Sequence, residues 1–371
     1  MGGLGWVVAV RAALPSPRPQ GWQALQQAVG LAESTAADVV LVADAGRADG
    51  GPPSLEQWLG RCVPSNLHVI QSRTPHGPPL AGLLFRRGLE RSRSSGRVLL
   101  CRDQRVAASA PGSRRSWAAV VMEWHVRPDL QLRQDRRALQ RADLHITPSP
   151  GLAEDLRTAG VEEDRLLLLP NACGLDPARA RQRAASRPAP GAPVLAMGLH
   201  RRAGLDLALD AWAANPQLPP LWLVGRDQGG VRYDTWMNRI ESDPCLRGRV
   251  SLLGPRWGGD REDLVDSAAL WLALYPDDDG TRSRLCPLQV VDAAGSGVPV
   301  VASSLESVTA ALGNVPYHPV VPGDPDSLVR AITEAIEAPR PTGQLAASRP
   351  RWVDRAHRLR ALVSERLGVD A

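Results

Sequence analysis

Along the first 150 residues, short apolar runs rich in β-branched residues alternate with stretches whose apolar positions recur at helical spacing. The runs Trp6–Val10, Asp38–Asp44, Leu67–Gln71, Arg97–Cys101, Ala118–Trp124 and Leu144–Ser149 read as strands. Between them, WQALQQAVGLAES from Trp22 and GLAEDLRTAG from Gly151 set their apolar residues on one helical face. Strands and helices in this alternation predict a parallel sheet joined by crossover helices.

The pattern then breaks. Residues 177–193, PARARQRAASRPAPGAP, carry Arg, Ala, Pro and Ser with no apolar periodicity and read as a linker. Alternation resumes with strands at Val194–Leu199, Leu221–Gly225, Arg249–Gly254, Leu270–Pro276 and Val298–Ser303, and with helices from Leu205 and around Leu288. At the end, Trp352, Ala356, Leu359, Leu362 and Val363 share one face of a last helix. Two such strand-helix series in 371 residues predict two Rossmann-like α/β domains facing each other across a cleft. The expected boundaries are 1–178, a linker at 179–193, 194–345, and a C-terminal helix within 346–371. Ligands of such sheets sit beyond the carboxyl ends of the strands, so functional side chains are expected just after strands.

Composition narrows the partners. The hydrophobic share of 43% and charged share of 22% are those of a globular protein. All 44 cations are arginine, and with one Phe and three Tyr this reads as coding bias before function. The net charge of +5 suits anionic ligands, while no basic run with interleaved aromatics marks a nucleic-acid surface. Five scattered cysteines match neither a zinc site nor a disulfide scaffold. The apolar run at Trp6 has no basic segment ahead of it and no run has transmembrane length, so the expected location is the cytoplasm or the inner face of a membrane.

Several stretches carry a family likeness. CPLQVVDAAGSGVPVVAS from Cys286, MGLHRRAGLDLALDAWAA from Met197, AAVVMEWHV from Ala118 and RADLHITPSPGLAEDLRTAGVEEDRLLLLPNACGLD from Arg141 occur in the order found in retaining glycosyltransferases of family four. The chain resembles that family over most of its length. The resemblance implies the GT-B architecture, with the C-terminal helix returning to the first domain. It also implies metal-independent transfer of a sugar from a nucleotide-diphosphate donor to a hydroxyl acceptor, with no cofactor beyond that co-substrate.

The residues themselves fit that chemistry. Pro287 at the start of a helix loses no hydrogen bond, and the amides of Leu288 and Gln289 with Cys286 before them offer a diphosphate cradle. Asp292, about one turn further in, is the expected acceptor for ribose hydroxyls. In the loop after the first strand of the second domain, Gly198 allows close approach, and Arg201 or Arg202 supplies forked bonds to phosphate, with Arg226 as a competitor. Glu123 and His125 lie on one face at a strand end, where the family places a histidine lining the sugar site. Gly21 begins a helix on the acceptor side. The segment from Leu80 mixes Leu83, Leu84, Phe85 and Leu89 with Arg86, Arg87, Arg91 and Arg93. It reads as a packed helix with a basic outer face, and it also suits peripheral membrane contact of the kind seen in relatives with lipid-linked acceptors.

Two departures stand against the family pattern. Where relatives carry a sugar-binding glutamate this chain has Arg284, and no Lys accompanies the diphosphate arginines. The acids Asp277–Asp279 at the preceding strand end offer another route to the sugar hydroxyls. The competing expectation is a non-catalytic relative that binds a nucleotide or glycan as a partner subunit.

Overall fold

The computed structural model describes residues 4–12, 14–15, 19–44, 54–71, 78–110, 116–199, 204–225, 231–340 and 343–369. They form two compact units, one of residues 1–171 with 350–371 and the other of 172–349.

The first unit begins β1 (Gly5–Val10), α1 (Pro19–Ser34), β2 (Val39–Ala43), α2 (Leu55–Leu59), β3 (Leu67–Ile70), α3 (Pro78–Ser92) and β4 (Ser94–Cys101). It continues α4 (Gln104–Ser109), β5 (Trp117–Glu123), α5 (Arg133–Arg141), β6 (Leu144–Thr147), α6 (Pro150–Thr158) and β7 (Leu166–Leu168). The second unit runs α7 (Pro177–Ala185), β8 (Val194–Met197), α8 (Leu205–Ala214), β9 (Leu221–Val224), α9 (Val231–Ser242), β10 (Val250–Gly254), α10 (Gly258–Ser267) and β11 (Leu270–Ala273). It then adds α11 (Asp279–Arg282), α12 (Leu288–Ala294), β12 (Val300–Ser303), α13 (Glu306–Leu312), β13 (His318–Val320), α14 (Pro325–Glu337) and α15 (Gly343–Ala347). The last helix, α16 (Trp352–Leu367), belongs to the first unit.

Each unit is built on a parallel sheet, in the order β3-β2-β1-β4-β5-β6-β7 in the first and β10-β9-β8-β11-β12-β13 in the second. Strands buried on both faces read as unbroken apolar runs, which is why the sequence pattern locates them. The order reverses beside β1 and β4 in one sheet and beside β8 and β11 in the other. In open parallel sheets such reversals are where ligands bind, beyond the carboxyl ends of the strands. In the first unit Val7, Ala9, Val40, Val42, Leu99 and Met122 pack with Phe85, Trp117 and Trp124. In the second, Leu205, Leu209, Trp212 and Trp236 share one core cluster, and Trp271, Val290, Val291, Val298 and Val308 share another.

The stretch read as a linker contains a helix. Asp176 accepts from the Ala178 N–H at 2.7 Å and Pro177 opens α7. Its inner face is carried by Ala180 and a buried Arg183 that pairs with Glu262 and Asp266, so no apolar period marks it. Gly297 has φ +83°, and a Cβ there would lie 2.1 Å from the Ala180 carbonyl oxygen, so the turn from α12 to β12 depends on the missing side chain. Gly30 does the same for α1 and α16, since its Cβ would meet the Trp352 carbonyl oxygen at 2.4 Å.

The α3 segment packs through Phe85 and leaves Arg86, Arg87 and Arg91 exposed, with Leu83 45% accessible. Among the described residues no helix is long and apolar enough to cross a membrane.

Candidate active site

In the first unit the candidate residues gather beyond β4 and β5. Glu123 ends β5, and the next residue is pinned: the Trp124 N–H donates to the Ile146 carbonyl at 2.8 Å and its indole donates to His145 Nδ1 at 3.1 Å. With Trp124 fully buried, the alternation of the extended chain sends Glu123 and His125 to the opposite side. His125 Nε2 lies 3.0 Å from Glu123 Oε1.

Two arginines complete the group. Arg355, from α16, donates through Nη2 to Glu123 Oε1 at 2.9 Å and to the Leu169 carbonyl at 3.2 Å, and through Nε to the Pro170 carbonyl at 2.9 Å. Its Nη1 reaches Gln27 Oε1 on α1. Arg102, the residue after β4, places Nε 3.0 Å from His125 Nε2 and donates to Gln23 Oε1 and to the Gln20 carbonyl. Gln20, Gln23 and Gln27 thus turn one side of α1 toward the guanidinium groups.

The electrostatics follow from burial and charge. Burial alone would raise the Glu123 pKa, but Arg355 first, then His125 and Arg102, hold it well below the usual carboxylate range. Burial, then the nearby Arg102 charge, lowers His125 to about 4 against the opposing pull of Glu123. Burial likewise brings Arg102 down to about 10, with Glu123 opposing. At neutral pH the group therefore holds two guanidinium cations, one carboxylate and a neutral imidazole. Gly21 lies buried in the first turn of α1, near Gln20 and Gln23 in sequence.

In the second unit the stretch 286–303 forms α12 and β12. The helix starts one residue later than the sequence pattern suggests, with Pro287 as its extended N-cap at φ −69° and ψ 128°. Asp292 is buried inside it. Its Oδ1 accepts the Gly174 N–H at 2.7 Å and its Oδ2 accepts from Arg261 of α10. Burial opposes the charge of Arg261, but Asp292 and then Glu262 raise its pKa, so the guanidinium stays charged. Gln289 donates to the hydroxyl of Tyr275, a buried residue just past β11. Cys286 packs half-buried against the same core cluster. Gly198 directly follows β8 with φ +82° and donates to the Val224 carbonyl at 2.9 Å.

Arg284 lies 2.8 Å from Asp279 Oδ1 and donates to the Asp279 carbonyl at 2.8 Å. Asp277 pairs with Arg282, and Asp278 caps α11 with Thr281. Arg201, Arg202 and Arg226 lie outside the described residues.

Sequence reasoning did not reach Arg102, Arg261 or Arg355. For Arg355 a signal existed: it sits between Trp352 and Leu359 on the apolar stripe of the last helix, where a cation needs a buried partner. Arg261 carries no such mark, because its partner is 31 residues away.

Solved structures give the fold a name. HepE of Anabaena, crystallised with UDP-glucose, matches at 18% identity with a TM-score of 0.63, over 98% of this chain and 95% of that one. AviGT4, a glycosyltransferase involved in avilamycin A biosynthesis, matches at 20% identity and 0.63, over 98% of each chain. Sucrose-phosphate synthase of Thermosynechococcus elongatus matches at 16% and 0.65, also over 98% of each. No protein-family model and no curated sequence matches. The chain has the two-unit α/β fold of the GT-B glycosyltransferases.

Proposed function

We propose that the chain moves a sugar from a nucleotide-diphosphate sugar to a hydroxyl acceptor, with retention at the anomeric carbon and without a metal ion. The observation that carries this reading is the Glu123–His125 pair, held by two guanidinium groups at the strand ends of a GT-B unit. HepE was solved with UDP-glucose, which makes uridine donors the first to test.

On this reading the second unit holds the nucleotide. Asp292 meets the ribose hydroxyls, since each of its oxygens keeps a lone pair beyond those used by Gly174 and Arg261. The segment Cys286–Gln289 presents the amides of Leu288 and Gln289 to the diphosphate, with Gly198 allowing its approach and Arg201, Arg202 or Arg226 neutralising its charge. In the first unit His125 orients the sugar and Gly21 lies on the acceptor side. The bond from the anomeric carbon to the diphosphate oxygen breaks and a bond to the acceptor oxygen forms on the same face. The acceptor proton leaves with the diphosphate, and stabilising that developing charge is the main contribution of the protein. For a lipid-linked acceptor, the exposed Arg86, Arg87 and Arg91 of α3 supply contact with an anionic membrane.

The observation favouring a second reading, a non-catalytic nucleotide- or glycan-binding subunit, is Arg284. It stands in place of an acid and is tied to Asp279. Calorimetric titration with UDP and UDP-sugars tests the nucleotide site directly. The expected result is saturable binding that weakens about tenfold, about 1.4 kcal/mol, in Asp292→Asn. Unchanged affinity in that variant would remove Asp292 from the site.

A further inference from the structure

His125 Nε2 has more neighbours than one ring nitrogen can serve. Arg102 Nε lies 3.0 Å away and Arg102 Nη2 2.5 Å away, while Glu123 Oε1 is at 3.0 Å. A neutral imidazole nitrogen carries either one lone pair or one N–H in the ring plane, so Nε2 accepts from Arg102 or donates to Glu123, not both. The charged groups facing the ring come from three elements: Arg102 after β4, Glu123 on β5 and Arg355 on α16. Glu123 Oε1 already receives the 2.9 Å bond from Arg355, whereas Arg102 aims two N–H groups at Nε2 and is anchored by Gln20 and Gln23.

We propose that Arg102 is a positioning residue that fixes His125 as the tautomer protonated on Nδ1, leaving that N–H as the donor His125 offers to a substrate. Two observations support the assignment. Among the described residues Nδ1 has no hydrogen-bond partner, and 26% of the His125 side chain is exposed. The lowered His125 pKa, to about 4, keeps the ring neutral across the range where a tautomer is defined. Glu123, close to Arg102 as well, then acts as the counter-charge of both arginines. The role in substrate contact rests on the glycosyltransferase reading; the tautomer does not.

The test is nitrogen-15 NMR of the histidine-labelled full chain without ligand, using two-bond correlations that distinguish the protonated ring nitrogen. Between pH 6 and 8, roughly the neutral range, His125 is expected to show protonated Nδ1 and bare Nε2. Arg102→Ala is expected to move the proton to Nε2, facing Glu123, and to raise the His125 pKa from about 4 toward 6.5. Arg102→Lys keeps one donor and is expected to retain the Nδ1–H form. A wild-type spectrum with the proton on Nε2, or an Arg102→Ala spectrum identical to wild type, overturns the proposal. Should Arg102→Ala not fold, the wild-type and Arg102→Lys spectra still decide. If a transferred sugar is also detected, Arg102→Ala should lower kcat on the order of tenfold to a hundredfold with little change in donor KM. The expected spectra with no turnover on any donor would leave the positioning role intact and reject the function.

Discussion

Replacing Arg355 by Met tests whether α16 holds the candidate site together. The Arg355 side chain is 1% exposed and its guanidinium binds Glu123 Oε1 at 2.9 Å, the carbonyls of Pro170 and Leu169 at 2.9 and 3.2 Å, and Gln27. Methionine keeps an unbranched apolar stem, deletes all of these bonds at once and removes the cation that lies 5.4 Å over the Trp352 ring. Glu123, itself 3% exposed, then loses its directly bonded cation and keeps only the nearby charge of Arg102 and the neutral His125 beside it. Breaking a buried pair from one side costs about 3–5 kcal/mol, a large part of the stability of an ordinary domain. Urea unfolding followed by tryptophan fluorescence should show the midpoint falling by roughly 1–3 M, taking an m-value near 2 kcal/mol/M. Adding Glu123→Gln removes the stranded charge, so the double variant should recover part of the loss. A single variant within about 1 kcal/mol of wild type, or a double variant showing only additive losses, would refute this account of the cluster.

His125 and His145 both have folded pKa values lowered to about 4 from 6.5, so the unfolded chain binds more protons between those values. Stability should therefore be full above pH 6.5 and fall as the pH drops toward 4, by up to about 3 kcal/mol for His125 alone; a urea midpoint unchanged from pH 7 to 4.5 would contradict it. Glu123 works in the more acidic region: with its pKa depressed, its contribution is full above about 4.5 and is lost progressively as the pH falls below that toward the folded-state value. Gly297→Ala should lower the thermal midpoint, since left-handed backbone without glycine costs on the order of 1–3 kcal/mol before the clash with Ala180 is counted. An unchanged midpoint would mean that the α12–β12 turn moves freely. Asp292→Ala should destabilise the second unit by about 3–5 kcal/mol, because the buried Arg261 loses the Asp292 carboxylate and Gly174 loses its acceptor; wild-type stability would show that the pair contributes little.

Much of the fold was legible because parallel strands covered on both faces read as continuous apolar runs. The strands β7 and β13 escaped notice since three residues cannot show a period. Helix α7 escaped because a buried arginine stands where a leucine would mark the inner face. Within the site, Glu123 and His125 were visible together because alternation along one strand relates them. Their arginine partners were not: the apolar stripe of the last helix marks Arg355 as buried, but nothing local links it to Glu123, 232 residues away. Asp292 stood out by its flanking pattern, while the hydrogen bond tying it to Gly174, 118 residues away, is a product of packing alone.

Sugar transfer is decided by release of nucleoside diphosphate from a panel of nucleotide-diphosphate sugars in the presence of a panel of hydroxyl acceptors. The expected result is acceptor-dependent release with at least one donor, a product with the anomeric configuration of that donor, and loss of release in His125→Ala. Binding of nucleotide sugars without release across the panel, in a folded protein, would contradict it and leave the non-catalytic reading in its place.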